Sequence, residues 1–192
     1  MEWTDEEAAE EVRKGNQRAF RVLVERHTPP VFRLAFLMTN NEQDAEDVVQ
    51  ETFLRSYRHI DKFDGRAAFG SWLHRICVNC SLNLIRTRKN RKEQLPDLND
   101  ETGFNWLDQV TAGSPSPERL TESGQIAAML GPALDMLTES ERAAFILRHY
   151  EGSPIEAIAQ TLGVQPGAAK QTIHRAVRKL RTALEPAWGT KR

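Results

Sequence analysis

Apolar residues recur along this chain at helical spacing, and almost nowhere at the alternation of a strand. Ala45, Val48, Val49, Thr52, Phe53 and Ser56 fall at i, i+3, i+4, i+7, i+8 and i+11, one face of an amphipathic helix. Before it, Ala19, Phe20, Leu23 and Val24 form a stripe that Pro29-Pro30 is expected to end. A second helix then starts at the prolines and carries Val31, Leu34, Ala35 and Met38 up to a turn at Asn40-Asn41. Phe63-Asp64-Gly65 breaks the pattern again, and a long helix is predicted from about Phe69 to Arg91, with Trp72, Leu73, Ile76, Cys80 and Leu84 on its apolar face. Near the C-terminus, Thr138-Glu139-Ser140-Glu141 reads as a capping box that opens a helix ending at Gly152. Ser153-Pro154-Ile155-Glu156 reads as another, opening a short helix that stops at Gly163, and a longer helix runs from Pro166 to about Leu184. A short helix, a Gly turn and a basic helix make a helix-turn-helix.

The pattern lapses between these two groups of helices. From Glu93 to Gly124, Pro96, Gly103, Gly113, Pro115, Pro117 and Gly124 stand among acids and serines, apart from a possible docking turn at Phe104, Trp106, Leu107 and Val110. Fully extended, these 32 residues reach about 105 Å at roughly 3.3 Å each. The expectation is an all-α chain of two helical domains, residues 12–92 and 125–185, joined by a flexible acidic linker at 93–124.

Composition sharpens this picture through charge. The 192 residues carry 26 Lys plus Arg against 27 Asp plus Glu, a net charge of −1. That balance argues against a nucleic-acid binder until it is resolved along the chain. Residues 1–15 are net −4, 16–50 net −1, 51–92 net +7, 93–124 net −6 and 125–192 net +3. Two basic blocks flank an acidic one, a pattern of interaction surfaces. With two cysteines there is no disulfide framework, and no apolar run approaches the roughly 18–20 residues of a membrane span. The acidic start, Met-Glu-Trp-Thr-Asp-Glu-Glu, is no secretory signal, so a cytoplasmic location is expected without membrane insertion.

Three surfaces remain once the apolar stripes are set aside. On the last helix, Lys170, Gln171, His174, Arg175 and Arg178 lie opposite Ala169, Ile173, Ala176, Val177, Leu180 and Leu184, placed to reach phosphates or base edges from a major groove. On the long helix, Arg75, Asn79, Asn83, Arg86 and Asn90 make one stripe, which the preference of cations for helix C-termini does not explain. The loop before it puts Phe63, Phe69 and Trp72 close to Arg66, a grouping suited to unpaired bases as well as to a core. On the middle helix, Asp47, Gln50, Glu51, Leu54 and Arg58 set a leucine among charges, as on a protein-binding face.

Taken together, these segments resemble an extracytoplasmic-function (ECF) RNA polymerase sigma factor. Asp44-Ala45-Glu46-Asp47-Val48-Val49-Gln50-Glu51-Thr52-Phe53-Leu54 is similar to that family's polymerase-core-binding helix. The stretch from Phe63-Asp64-Gly65 through Phe69-Gly70-Ser71-Trp72-Leu73-His74-Arg75-Ile76 is similar to its promoter-melting segment, and the helix-turn-helix to its reader of the −35 element. The resemblance implies that Asp47, Gln50, Glu51, Leu54 and Arg58 dock on the core, at the coiled coil of the largest catalytic subunit, with the flap as a further contact. It implies that the loop Asp64–Phe69, with Arg66, captures a flipped base of the −10 element, and that Trp72, Arg75, Asn79, Asn83 and Arg86 hold the melted strand. Lys170, Gln171, His174, Arg175 and Arg178 would contact the −35 duplex. Promoter DNA, polymerase core and an anti-sigma factor are the implied partners; no cofactor and no enzymatic activity are implied. The acidic linker would thread through polymerase and suppress DNA binding by the free protein, so that DNA binding depends on a partner that spreads the basic domains.

Some positions depart from the family pattern. Ala168, Ala169, Gln171 and Thr172 replace a Thr-Val-Lys-Ser-Arg type of recognition sequence of which Lys170 survives, and the absent Arg at Thr172 takes one expected contact from the −35 set. Gln165 stands where Ser or Thr would cap that helix more strongly. His74, Cys77 and Cys80 suggest zinc or a redox pair, but on one helix they fan over about 120° and lack a fourth ligand. Buried small hydrophobes are their expected role. Two other readings compete: a stand-alone helix-turn-helix regulator, which has no use for the Asp47–Leu54 face, and a protein-interaction module, which leaves the Arg75–Arg86 stripe unexplained.

Overall fold

The fold follows from how each apolar stripe is closed off and buried. In the computed structural model, which describes residues 3–94 and 133–188, the described residues form helices and no strand. The chain begins with a helix that the apolar pattern did not announce, α1 (Asp5–Arg13), capped by a reciprocal Thr4–Glu7 box and burying Ala8, Ala9 and Val12. Next come α2 (Gln17–Thr39), α3 (Glu42–Arg58), a single 3-10 turn (Ile60–Lys62) and α4 (Phe69–Gln94). The C-terminal group is α5 (Glu139–His149), α6 (Ile155–Leu162) and α7 (Pro166–Trp188).

Two expectations need correction. Pro29-Pro30 does not end a helix, because α2 runs unbroken through both prolines. The two prolines deprive the Glu25 and Arg26 carbonyls of their usual donors. Yet proline's φ is helical, and Leu23 before the pair and Val31, Leu34, Ala35 and Met38 after it are all buried on one core. Tertiary burial on both sides outweighs the local penalty. The second correction concerns α6. Its N-cap is Pro154, with no side-chain cap bond, so Ser153 and Glu156 form no capping box. The box expected at Thr138 does form, with both Thr138–Glu141 bonds present. Asn40 closes α2 in the left-handed conformation at φ 52°, and Asn41 caps α3 by accepting from the Asp44 amide.

α2, α3 and α4 pack on one another, while α5, α6 and α7 form the helix-turn-helix unit. Gly163 ends α6 at φ 67°, a left-handed turn that favours glycine, and α7 leaves from there. The two groups share one hydrophobic core: Ala143, Ala144, Ile146, Leu147, Ile158, Ala159 and Ala169 belong to the same buried cluster as Leu23, Leu34, Phe53 and Leu73. Polar contacts seal the seam. Arg142, buried in α5, donates to the Met38 carbonyl at 3.0 Å and to Asp135 at 2.7 Å. Asn40 donates to Asp135 at 3.0 Å. His74 on α4 pairs through Nδ1 with the Glu151 carboxylate, both side chains being largely buried. The expected linker, and the docking turn expected at Phe104–Val110, lie outside the described residues. Among the described residues no helix is long and apolar enough to cross a membrane.

The shared core and the seam are expected to make the two helical groups melt together. Arg142→Ala removes both bonds and leaves the Met38 carbonyl buried without its donor, at a cost of about 1–3 kcal/mol. Calorimetry is expected to show the single transition of the parent resolve into two, with the lower-melting one assigned by the exchange of α5 amides. A single unshifted transition in the variant contradicts this.

Candidate functional site

Three exposed surfaces stand on this frame. On α3, the buried edge is Val48, Val49, Thr52, Phe53 and Ser56, which turns Asp47 and Leu54 outward and leaves Gln50 and Glu51 half-buried beside them. Leu54 is 42% exposed and Tyr57 is 43% exposed. Tyr57 stacks edge-on with Phe20 at 4.8 Å, so the apolar part of this face is a leucine and a tyrosine held in place from below. Sequence reasoning missed Tyr57, although its i+3 spacing from Leu54 was available. Arg58 is exposed at the end of the same helix. Glu51 is engaged by Arg55 on its own helix. The N-terminal half of the face is acidic: burial, with Glu42 and Asp47 adding to it, pushes the Glu46 carboxyl upward.

The second surface starts at the loop before α4. Phe63 and Phe69 are buried, at 3% and 0% exposure, and with Trp72 they form a triad of rings whose centroids lie 5.3–5.5 Å apart. Between these anchors Asp64, Gly65 and Arg66 are exposed. Asp64 accepts from the Arg66 amide at 3.1 Å and meets its guanidinium at 3.3 Å, and Gly65 turns the chain at φ 72°. Phe69, expected as a base contact, is therefore a core ring that fixes one end of the loop. Trp72 also packs against the core. Along α4, Asn79, Asn83 and Arg86 are exposed in a row, with Arg75 half-buried at its head.

The third surface is α7. Ala169, Thr172, Ala176 and Leu180 are buried, and Lys170, Gln171, His174, Arg175 and Arg178 are all exposed. Thr172, 8% exposed, bonds the Ala168 carbonyl through Oγ1 and receives Arg175 at 3.1 Å. Position 172 thus faces the inside of this unit, and a missing arginine there takes nothing from the exposed set. Glu141, which no local pattern marks for this part, underlies the face. It is 5% exposed, accepts from Lys179 at 2.7 Å and lies 3.9 Å from Arg175, tying α7 to the capped start of α5.

The His74, Cys77 and Cys80 set does not converge. His74 is taken by Glu151, and the Cys77 thiol points at the Val31 carbonyl, 3.7 Å away. Burial pushes both thiols up, away from the thiolate that redox chemistry needs. Among the described residues no cluster of His, Cys, Asp or Glu is placed to hold a metal ion.

Comparison with known proteins follows the same division. Residues 23–91 match the family model of Sigma-70 region 2, and residues 125–180 match that of Sigma-70 region 4. The ECF RNA polymerase sigma factor SigE of Mycolicibacterium smegmatis is 39% identical over 163 residues, 84% of this chain and 60% of that protein. The RNA polymerase sigma-H factor of Pseudomonas aeruginosa is 31% identical over 182 residues, 95% of this chain and 94% of that one. The ECF RNA polymerase sigma factor SigW of Bacillus subtilis is 28% identical, over 96% of this chain and 98% of its own. This chain therefore spans 60% of SigE and nearly the whole of the other two. Among solved structures, CnrH in complex with the cytosolic domain of CnrY superposes with a TM-score of 0.59 at 27% identity, covering 93% of this chain and 96% of that one. The sigma factor RpoE in complex with the anti-sigma factor NepR, from Bartonella quintana, gives 0.60 at 22% identity over 85% and 93%, a likeness of fold.

Glu141 makes the seating of α7 sensitive to acid. Burial works to raise its carboxyl, but the Lys179 bond and the Thr138 cap outweigh that and hold it below its ordinary 4.5. A carboxyl depressed on folding contributes stability above its unfolded pKa and loses it as the pH falls through the folded value. Chemical denaturation from pH 7 down to about pH 3 is expected to show Glu141→Gln less stable than the parent at neutral pH, with the gap closing below about pH 4.5. A gap that stays constant with pH contradicts the assignment.

Proposed function

We propose that this chain, which belongs to the extracytoplasmic-function family of RNA polymerase sigma factors, binds the polymerase core through α3 and directs it to promoters through α4 and α7. Sigma factors are initiation factors; in this reading the chain catalyses nothing and polymerase makes the RNA. The observation that carries the reading is the exposure of three separate faces on one frame. The α3 face presents Leu54 and Tyr57 among Asp47, Gln50, Glu51 and Arg58, an apolar centre with a charged rim of the kind that docks a protein. Its acidic half suits a basic partner surface on the core, with the coiled coil of the largest subunit as the seat and the flap receiving the C-terminal unit. A stand-alone regulator has no need of this face.

For the −10 element, Asp64 and Arg66 at the loop tip would take a flipped base. Arg75, Asn79, Asn83 and Arg86 would hold the strand that leaves the duplex, with Trp72 supporting the loop from behind. For the −35 element, Lys170, Gln171, His174, Arg175 and Arg178 would enter the major groove, where lysine and arginine suit guanine and phosphates and glutamine suits adenine. Arg175 is steered by Thr172 and Glu141, so its reach is restricted to one side. In the cell the protein would be cytoplasmic and nucleoid-associated when bound to polymerase. The similarly folded RpoE was solved with the anti-sigma factor NepR, and this chain would likewise be controlled by such a factor.

Distance adds a constraint. The centres of the −10 and −35 elements lie about 25 base pairs apart, about 85 Å at roughly 3.4 Å each. A packed chain of 192 residues has a radius of gyration of about 16 Å. The two DNA-reading faces therefore serve both elements only after the seam at Arg142 and His74 opens. The acidic stretch 93–124, with a reach of about 105 Å, is long enough to span the gap.

Reconstitution with core polymerase and a promoter library tests the reading. The parent is expected to yield promoter-specific transcripts, and Leu54→Asp to weaken core binding at least tenfold, about 1.4 kcal/mol, while leaving the melting temperature within a degree or two, since Leu54 is on the surface. Absence of a specific transcript together with unchanged core affinity in the variant overturns it. Fluorophores on α3 and α7 provide a second readout: transfer efficiency is expected to be high in the free protein and to collapse on core binding. Efficiency that stays high in the holoenzyme contradicts the opening of the seam.

A further inference from the structure

We infer that Arg13, on α1 and outside both matched regions, is a positioning residue for promoter melting. It holds the near end of the loop that reads the −10 element. The inference rests on the reading of Asp64–Phe69 as that loop.

The guanidinium of Arg13 reaches from the last turn of α1 across to the chain that follows α3. Its Nε donates to the Ile60 carbonyl at 3.3 Å and its Nη2 donates to the Phe63 carbonyl. These carbonyls belong to the 3-10 turn Ile60–Lys62 and to its cap, where the local donors are few: Phe63 N reaches Ile60 O at 3.2 Å, and Lys62 N reaches His59 O at 2.9 Å. A cation aimed at the carbonyl end of a turn is favoured twice, by hydrogen bonds and by the dipole.

The consequence is a difference between the loop's two ends. The far end is Phe69, fully buried at the start of α4 and fixed by its own helix. The near end is Phe63, whose ring is in the same aromatic triad but whose backbone has only the 3-10 turn and Arg13 to hold it. Between them Asp64, Gly65 and Arg66 are exposed. A loop that must present a pocket to one flipped base does so at the least entropic cost when both ends are already in place. α1 is itself well tied down, by burial of Ala8, Ala9 and Val12 and by Asp5, which engages Arg26 and His27 of α2. The support runs from α2 through α1 and Arg13 to the loop.

Arg13→Met and Arg13→Lys, assembled into holoenzyme, test this on a duplex promoter. Opening is followed by the permanganate reactivity of unpaired thymines, and core affinity is measured in parallel. Arg13→Met is expected to slow opening about tenfold, the scale of one lost charge-assisted bond, with Arg13→Lys in between. Core affinity is expected to stay within about twofold, because α3 is untouched, and a template already mismatched over the −10 element is expected to recover most of the lost rate. Hydrogen exchange is expected to rise at residues 60–66 and not along α3. Unchanged opening in Arg13→Met overturns the inference. So does a fall in opening matched by an equal fall in core affinity, which marks Arg13 as a general support of the domain. Arg66→Ala combined with Asp64→Ala separates the two layers: if that pair leaves opening unchanged, the reading of the loop itself fails, whereas an effect of the pair without an effect of Arg13→Met removes only the role of Arg13.

Discussion

The guanidinium of Arg142 against the carbonyl of Met38 is the contact on which the arrangement of this molecule depends. A helix of 23 residues ends at Thr39 and leaves its last carbonyls without intrahelical donors. Asn40 turns away in the left-handed conformation and returns its own amide to Phe36, but Met38 looks into the seam. A buried arginine is costly unless its donors are used, and here one arm satisfies the helix end and the other meets Asp135, which Asn40 also holds. Arg142 and the Met38 carbonyl would each be an uncompensated polar burial without the other, while Asp135 and Asn40 hold the exposed rim. Together they let Leu37 and Phe145 pack across the seam, and a continuous core forms from two sets of helices that are far apart in sequence.

Charge explains how two basic units tolerate such a contact. The segment 125–192 carries six acids, and three of them, Asp135, Glu141 and Glu151, are engaged in internal pairs with Arg142, Lys179 and His74. These acids hold the fold, and Lys170, Arg175 and Arg178 of α7 are left facing outward while Lys179 pairs inward with Glu141. A net charge of −1 is thus compatible with strongly basic faces, because acids and bases are sorted by depth as well as by segment. The same sorting occurs in the N-terminal unit, where Asp44 is nearly buried and pairs with Arg88 while Asn79, Asn83 and Arg86 stay in solvent.

What could be read from the sequence was whatever is written in local spacing. The stripe from Ala45 to Ser56, the capped start at Thr138 and the glycine stop at Gly163 all carry their structural reason within four to eight residues, and all three appear in the structure. Local chemistry misled where long-range burial competes with it. Pro29-Pro30 sits inside a helix because the core on either side outweighs two lost bonds, and Ser153 does not cap because Pro154 takes that place. α1 was not foreseen, since its buried residues are two alanines and a valine among five acids. Nor can spacing reveal partners such as His74 and Glu151, 77 residues apart, or Arg142 and Met38, 104 apart. For the candidate surfaces, the exposed polar positions were legible as helix faces, while the inward turn of Thr172 and Phe69 needed the packing.

The seam restricts the molecule in a particular way. It covers neither the outward face of α3 nor that of α7: Asp47 and Leu54 are exposed, and so are Lys170, His174 and Arg178. A partner can therefore engage either face before the domains part. In the proposed reading, what the packed arrangement would forbid is the use of both DNA-reading faces at the separation of the two promoter elements. Binding energy gained on the α3 face, and on the α7 unit, can then be applied to opening the seam, and a ligand shifts such an equilibrium only by its differential affinity for the open state. Duplex DNA alone, without the α3 contact, would gain less from the opening. A polymerase core with the two proposed seats set far apart would gain from both at once. Asp135 and Asn40 are exposed at the edge of a seam otherwise closed by apolar packing, and water can replace their mutual hydrogen bond on parting, which lowers the cost of opening there. In the proposed reading, dependence on polymerase would follow from geometry, with no surface needing to be hidden.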